Sequence, residues 1–245
     1  MSFLKAEKRT FYRERITAKD LVSFPILIKE TDLLIFADNQ LKDEANNSVF
    51  NYRHQLEDYI IKFPHFLDSL IPLPLDESAP SIIQEMMRSA QLAQVGPMAS
   101  VAGAIAEFVG KDLLKHTKQI VVENGGDIFI KIAEDLTIGV YAGDSPLSNK
   151  LGLKIAPDTT PLGVCTSSGT VGHSLSFGKS DAVTIIAQST SLADAAATSI
   201  GNLVKEKKDI ESGLEHAKSI KGIQGALIIV GDQFGAWGNV EIVSI

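Results

Sequence analysis

Short apolar runs and helical periodicities alternate along this chain. Residues 24–28 and 33–37 are apolar stretches separated by Lys29-Glu30-Thr31-Asp32. That pattern predicts two strands joined by a turn, and 11–16 reads as an earlier strand. Leu41, Ala45, Val49, Tyr52, Leu56, Tyr59, Ile60 and Phe63 follow at helical spacing. They predict a helix that stops at Pro64. Pro64, Pro72, Pro74 and Pro80 punctuate an irregular crossing segment, and Pro80 can open a helix over 81–94. Val95-Gly96-Pro97 breaks that helix. Residues 98–115 read as the next one, rich enough in Ala and Gly to pack closely.

Strand patterns return at 120–122, 128–132, 137–141, 162–165, 182–187, 226–230 and 240–243. Helices are predicted at 191–205 and 209–219. The succession of hairpin, helices, meander, helices and final hairpin predicts an α+β fold with mostly antiparallel pairing. No low-complexity linker interrupts it, so 1–245 reads as a single domain.

Composition narrows the function. Thirty acidic residues against 23 basic ones give a net charge of -7, which argues against an electrostatic footprint for nucleic acid. The basic cluster Lys205-Glu206-Lys207-Lys208 reads as a solvated helix end. One cysteine precludes an internal disulfide and fits a reducing compartment. Residues 1–20 are charged and lack an apolar signal core. The low-charge stretch 92–106 is short and broken by Gly96, Pro97 and Gly103, so it does not predict a membrane span. The expectation is a cytoplasmic protein without a membrane partner.

Three segments carry candidate chemistry. Asn124-Gly125-Gly126-Asp127 lies between two predicted strands. It reads either as a type I′ hairpin turn or as a place where backbone approaches a ligand, with Asn124 and Asp127 as polar contacts. Thr166-Ser167-Ser168-Gly169 follows another strand, as a mobile loop or an anion cradle of amides and hydroxyls. Asp194 and Thr198 stand one helical turn apart among alanines. They are half of a hard-cation site, or Asp194 is a first-turn acid favoured by the dipole of its own helix. Cys165 reads as a buried thiol unless a base activates it, and His173 is the nearby histidine in sequence.

The stretch Ala193-Asp194-Ala195-Ala196-Ala197-Thr198, with the preceding Val183-Thr184-Ile185-Ile186-Ala187, resembles the C-terminal signature of the ApbE superfamily of FAD:protein FMN transferases. Glu123-Asn124-Gly125-Gly126-Asp127 and Thr166-Ser167-Ser168-Gly169 resemble two more of its motifs, in the same order. Val95-Gly96-Pro97-Met98-Ala99 and Trp237-Gly238 are similar to hallmarks of a separate ApbE-like branch. The resemblance implies a T-fold-like architecture, self-association, and Mg²⁺ held by Asp194, Thr198 and the Ala99 carbonyl. It further implies FAD as the nucleotide ligand and cleavage or transfer at its pyrophosphate, with His173 as candidate general base. Ser100-Val101 stands where the transferases carry Lys-Gly. The alternatives are a binding protein without the chemistry, and a sulfur-assimilation accessory in which Cys165 matters.

Overall fold

A computed structural model describes residues 21–168 and 178–245. The first half runs β1 (Val22–Ile28), β2 (Thr31–Ala37), α1 (Lys42–Lys62), the short α2 (His65–Asp68), α3 (Ser81–Ala93), α4 (Val101–Leu113), β3 (Ile120–Asn124) and β4 (Asp127–Lys131). The second half adds β5 (Leu136–Gly139), β6 (Leu151–Ile155), β7 (Leu162–Ser167), β8 (Ala182–Ala187), α5 (Thr190–Leu203), α6 (Ile210–Ser219), β9 (Ile223–Val230), β10 (Gln233–Gly238) and β11 (Glu241–Ser244).

One eight-stranded sheet has the order β1-β2-β3-β4-β7-β8-β9-β10, and β11-β6-β5 form a second, three-stranded sheet. Every pair in both sheets is antiparallel. The expected α+β class is therefore the one observed.

Alternation along the strands divides the core between two faces. Ile120 and Val122 of β3 and Phe129 of β4 pack under α1, α3 and α4. Cys165, Val183, Ile185 and Ala226 pack under α5 and α6. Val121, Ile128, Ile130, Val164 and Ile186 point the other way, onto β5 and β6. Helices thus cover one face of the large sheet and the small sheet covers the other.

Several boundaries differ from the periodic reading, each for a local reason. Residues 97–100 form a 3-10 turn, and α4 begins only at Val101. β7 runs two residues past Cys165, because Thr166 and Ser167 pair with Thr184 and Val183. The return strand after β9 is β10, whereas β11 leaves to join β6. β10 and β6 had no sequence prediction. β10 reads Gln-Phe-Gly-Ala-Trp-Gly, poor in the residues that favour strands. Its Gly235 lets α6 approach: a Cβ there would meet Ile210 at 2.6 Å and Leu214 at 3.0 Å. The predicted strand 11–16 lies outside the described residues.

Candidate functional site

Helices α4 and α5 cross beneath one end of β3, β4 and β7, with no room for a side chain at Gly103. A Cβ on Gly103 would stand 2.5 Å from the Thr190 carbonyl and 2.8 Å from the Asp194 Cβ. Four residues on, Glu107 meets Ser189 and Ser191, so the pair runs antiparallel. Each helix then closes the other's N-terminus. The Gly103 amide donates to Asp194 Oδ2 (2.9 Å), and the Ala102 amide also bonds that carboxylate. Reciprocally, the Ser191 amide donates to Glu107 Oε2 (3.1 Å). Ser189 is the N-cap of α5, its Oγ accepting from the Leu192 amide (3.2 Å). Carboxylates at helix N-termini satisfy orphan amides and match the dipole.

This geometry revises the dipole reading of Asp194. The residue is the fifth of α5 and caps α4 rather than its own helix. The Gly103 amide would close a regular turn onto the Ala99 carbonyl but is directed to Asp194 instead. Ala99, partly buried in the 3-10 turn, packs against the α5 side of the core. Thr198 lies one turn beyond Asp194, also partly buried, so both project from the same side of α5.

Asn124-Gly125-Gly126-Asp127 is a two-residue hairpin loop, with Asn124 paired to Asp127. Gly125 and Gly126 have φ of 67° and 107°, the left-handed conformations that a type I′ turn requires. Nothing lies within 4 Å of a Cβ built on Gly125, so its role in the described chain is conformational rather than close packing. The turn nonetheless delivers two side chains to the helix face. Asn124 Nδ2 donates to the Ala102 carbonyl (3.0 Å). Asp127, buried and paired with Cys165 across the ladder, faces the crossing.

The electrostatics are those of two carboxylates short of a counter-charge. Burial pushes the Asp194 carboxyl up to about 7, against the opposing pull of the Gly103 and Ala102 amides. Asp127 is held well above the ordinary carboxylate range by burial first and by the charge of Asp194 second. The same burial and both carboxylates raise the Cys165 thiol well above its usual value. That thiol is fully buried and donates to the Thr190 carbonyl (3.3 Å). It has the surroundings of an inert cysteine rather than a nucleophile.

Thr166 departs from the anion-cradle expectation. The Thr166 hydroxyl is on the opposite face of the large sheet, 2.9 Å from the Thr184 hydroxyl. It borders a void of about 20 Å³, room for one water. The Thr166 amide bonds the Gly126 carbonyl (3.3 Å) and the Asp127 carboxylate. The strand's extra length causes this, since each added residue alternates faces. Ser167 returns to the helix face, and Ser168 follows it, partly buried. Gly169 and His173 lie outside the described residues.

Glu107 and Gly103 were absent from the sequence-derived site. The signal for Glu107 was legible: an acid inside an Ala- and Gly-rich helix, on the stripe of Gly103 and Gly110. It is 2% exposed and paired with Lys111 (2.5 Å), a position that demands partners.

The donors expected from sequence would fit one kind of metal. Among the described residues no three His, Cys, Asp or Glu side chains form a metal-binding group. Carboxylate, hydroxyl and carbonyl oxygens from Asp194, Thr198 and Ala99 instead suit a hard cation. Mg²⁺ commonly takes one or two carboxylates and completes its shell with water and substrate phosphates.

Comparison with known proteins gives a consistent context. The structure is similar to the flavinyl transferase ApbE of Pseudomonas stutzeri, with TM-score 0.60 at 16% identity, covering 89% of this chain and 94% of that one. It is also similar to the flavin transferase ApbE of Vibrio cholerae, with TM-score 0.60 at 13% identity, covering 89% and 96%. In sequence it is 43% identical over 221 residues to a UPF0280 protein of Methanocaldococcus jannaschii, covering 88% of this chain and 90% of the relative. A UPF0280 protein of Methanosarcina barkeri is 40% identical over 234 residues, covering 93% and 92%. The model of the family described as "AbpE bacteria" matches residues 13–241, and the chain belongs to that family.

Proposed function

We propose that this chain binds a pyrophosphate-bearing nucleotide, FAD, together with Mg²⁺ at the α4–α5 crossing, and acts at the pyrophosphate. The observation that carries this reading is the convergence of Asp194 and Asp127, both raised in pKa, beside the Asn124–Ala102 hydrogen bond. A divalent cation supplies the missing positive charge there and neutralises phosphate oxygens. The rest belongs to the chain. The Gly103 amide, on Oδ2, and the Ala102 amide hold the Asp194 carboxylate in place for a cation. Asn124 is held through its amide nitrogen on the Ala102 carbonyl, so its oxygen is the end presented to a ligand. Asp127, pushed toward its protonated form, limits the negative charge that a phosphate must meet.

The ApbE transferases with the same fold add weight to a flavin nucleotide as ligand. The buried, hydrogen-bonded Cys165 speaks against the sulfur-transfer alternative. Calorimetric titration with FAD, FMN and ADP, with and without Mg²⁺, tests the proposal. FAD should bind at least ten times more tightly with Mg²⁺. Asp194→Asn should abolish that gain, because Asn keeps an acceptor for the two amides and loses only the charge. Wild-type affinity of Asp194→Asn in Mg²⁺ would show the metal assignment to be wrong.

A further inference from the structure

A cavity of about 360 Å³ opens beside the N-terminus of α4. Leu56 and Ile60 of α1, Met98, and Val101 and Ile105 of α4 give it apolar walls. Arg53 lines it as well, and both terminal nitrogens of its guanidinium are already engaged. Nη1 donates to the Thr31 hydroxyl (2.7 Å), and Nη2 donates to Glu30 (2.6 Å) and Glu57 (2.9 Å). Lys29 pairs with Glu57 (2.7 Å), so two cations balance two anions. A phosphate would find neither net positive charge nor the free fork that binds it bidentately. Nε is buried without a hydrogen-bond partner. The groups left to the cavity are therefore the flat face of the guanidinium, this single N–H, which suits a ring heteroatom, and the aliphatic stem. Such a face stacks on planar π systems.

Size and position agree with this chemistry. The volume is at the lower end for small-molecule sites, enough for one ring system and not for a dinucleotide. Asn124 and Ala102 line the cavity too, and they are the residues that connect to Asp194 through the α4 amides. A ring in the cavity therefore has its phosphates beside the crossing.

We infer that this cavity is a subsite for an uncharged planar heteroaromatic ring, with the face of Arg53 determining specificity. The inference rests on the phosphate-and-cation reading of the crossing. It separates the ligand into a ring held by apolar walls and Arg53, and phosphates held elsewhere.

The test measures riboflavin and adenosine, rings without phosphate, against inorganic pyrophosphate with Mg²⁺. Ile60→Trp fills the cavity from a partly buried position. Arg53→Lys keeps the charge and removes the plane. Wild type should bind at least one of the two rings without Mg²⁺. Ile60→Trp and Arg53→Lys should each weaken that binding at least tenfold while Mg²⁺-pyrophosphate binding is unchanged. Unchanged ring affinity in both variants, or no ring binding to wild type, overturns the inference. If ring binding follows the cavity but wild type fails to bind Mg²⁺-pyrophosphate, the subsite stands and the reading of the crossing falls. Thermal melts of each variant identify any loss of fold. Should Ile60→Trp not fold, Arg53→Lys alone decides.

Discussion

Asp127 shows how a motif residue can be legible in type yet not in consequence. Its place in Asn-Gly-Gly-Asp marks a hairpin turn, and the turn is there. Only the fold reveals that the carboxyl is buried within the field of Asp194, 67 residues later in the chain. Both carboxyls have folded pKa values above the unfolded value of about 3.9. The folded state therefore holds its protons more tightly, and the resulting stabilisation is complete at acid pH. It is lost as pH rises from about 4 through about 7, where Asp194 releases its proton. Without divalent cation, the melting temperature should fall across that interval. Asp127→Asn removes one of the two charges, so its melting temperature should fall less and exceed wild type at about pH 8. Parallel curves for the two proteins in thermal melts from acid to mildly alkaline buffer would rule this out. Thr166 was harder to read for a different reason. A strand end displaced by two residues decides whether a hydroxyl belongs to a loop or to the opposite face of a sheet, and local composition does not locate such an end.

Helices α1, α3 and α5 were readable because each has a long apolar stripe and a definable start or stop. Pro64 follows α1, Pro80 precedes α3, and Ser189 caps α5. Of the small sheet, β5 and β11 were readable as strands, but β6 and the pairing were not, because β11 joins a strand nearly ninety residues earlier. The antiparallel docking of α4 on α5 was likewise invisible as a pairing, although its requirement for small residues was evident. Gly103 makes that pairing testable. A methyl group there must displace the Thr190 backbone or the Asp194 Cβ, both within 2.8 Å. Gly103→Ala should cost about 1–3 kcal/mol in denaturant unfolding, as overpacking does, despite alanine's better helix propensity. It should also weaken Mg²⁺-dependent FAD binding, because the same contact positions Asp194 on the α4 amides. A variant as stable as wild type would mean that the two helices are not pressed together as described. The affinity of that same variant for riboflavin or adenosine should change less, since the apolar cavity lies on the α1 side of α4.

The molecule as a whole brings together residues that lie in separate stretches of sequence. Ala102, Asn124, Asp127 and Asp194 meet because β3 and β4 end where α4 begins and α5 passes below. The sheet face opposite this meeting point is sealed by β5 and β6. Access to the crossing is thus from the helix side, and the field there is that of a chain with net charge -7, the Asp194 carboxylate included. A dinucleotide carrying phosphate charge approaches such a surface against repulsion. Screening should therefore help it bind in the absence of a divalent cation. Raising NaCl from about 0.01 M to about 0.15 M shortens the Debye length from about 30 Å to about 8 Å, so FAD affinity without Mg²⁺ should rise. With Mg²⁺ saturating, the dominant electrostatic contact becomes an attraction between cation and phosphate, and the same salt increase should lower affinity. The sign of the salt dependence should therefore reverse when Mg²⁺ is added. Titrations at the two ionic strengths, each with Mg²⁺ and with chelator, read this directly. A salt dependence of the same sign in both conditions would mean that the cation and the phosphates do not share the crossing.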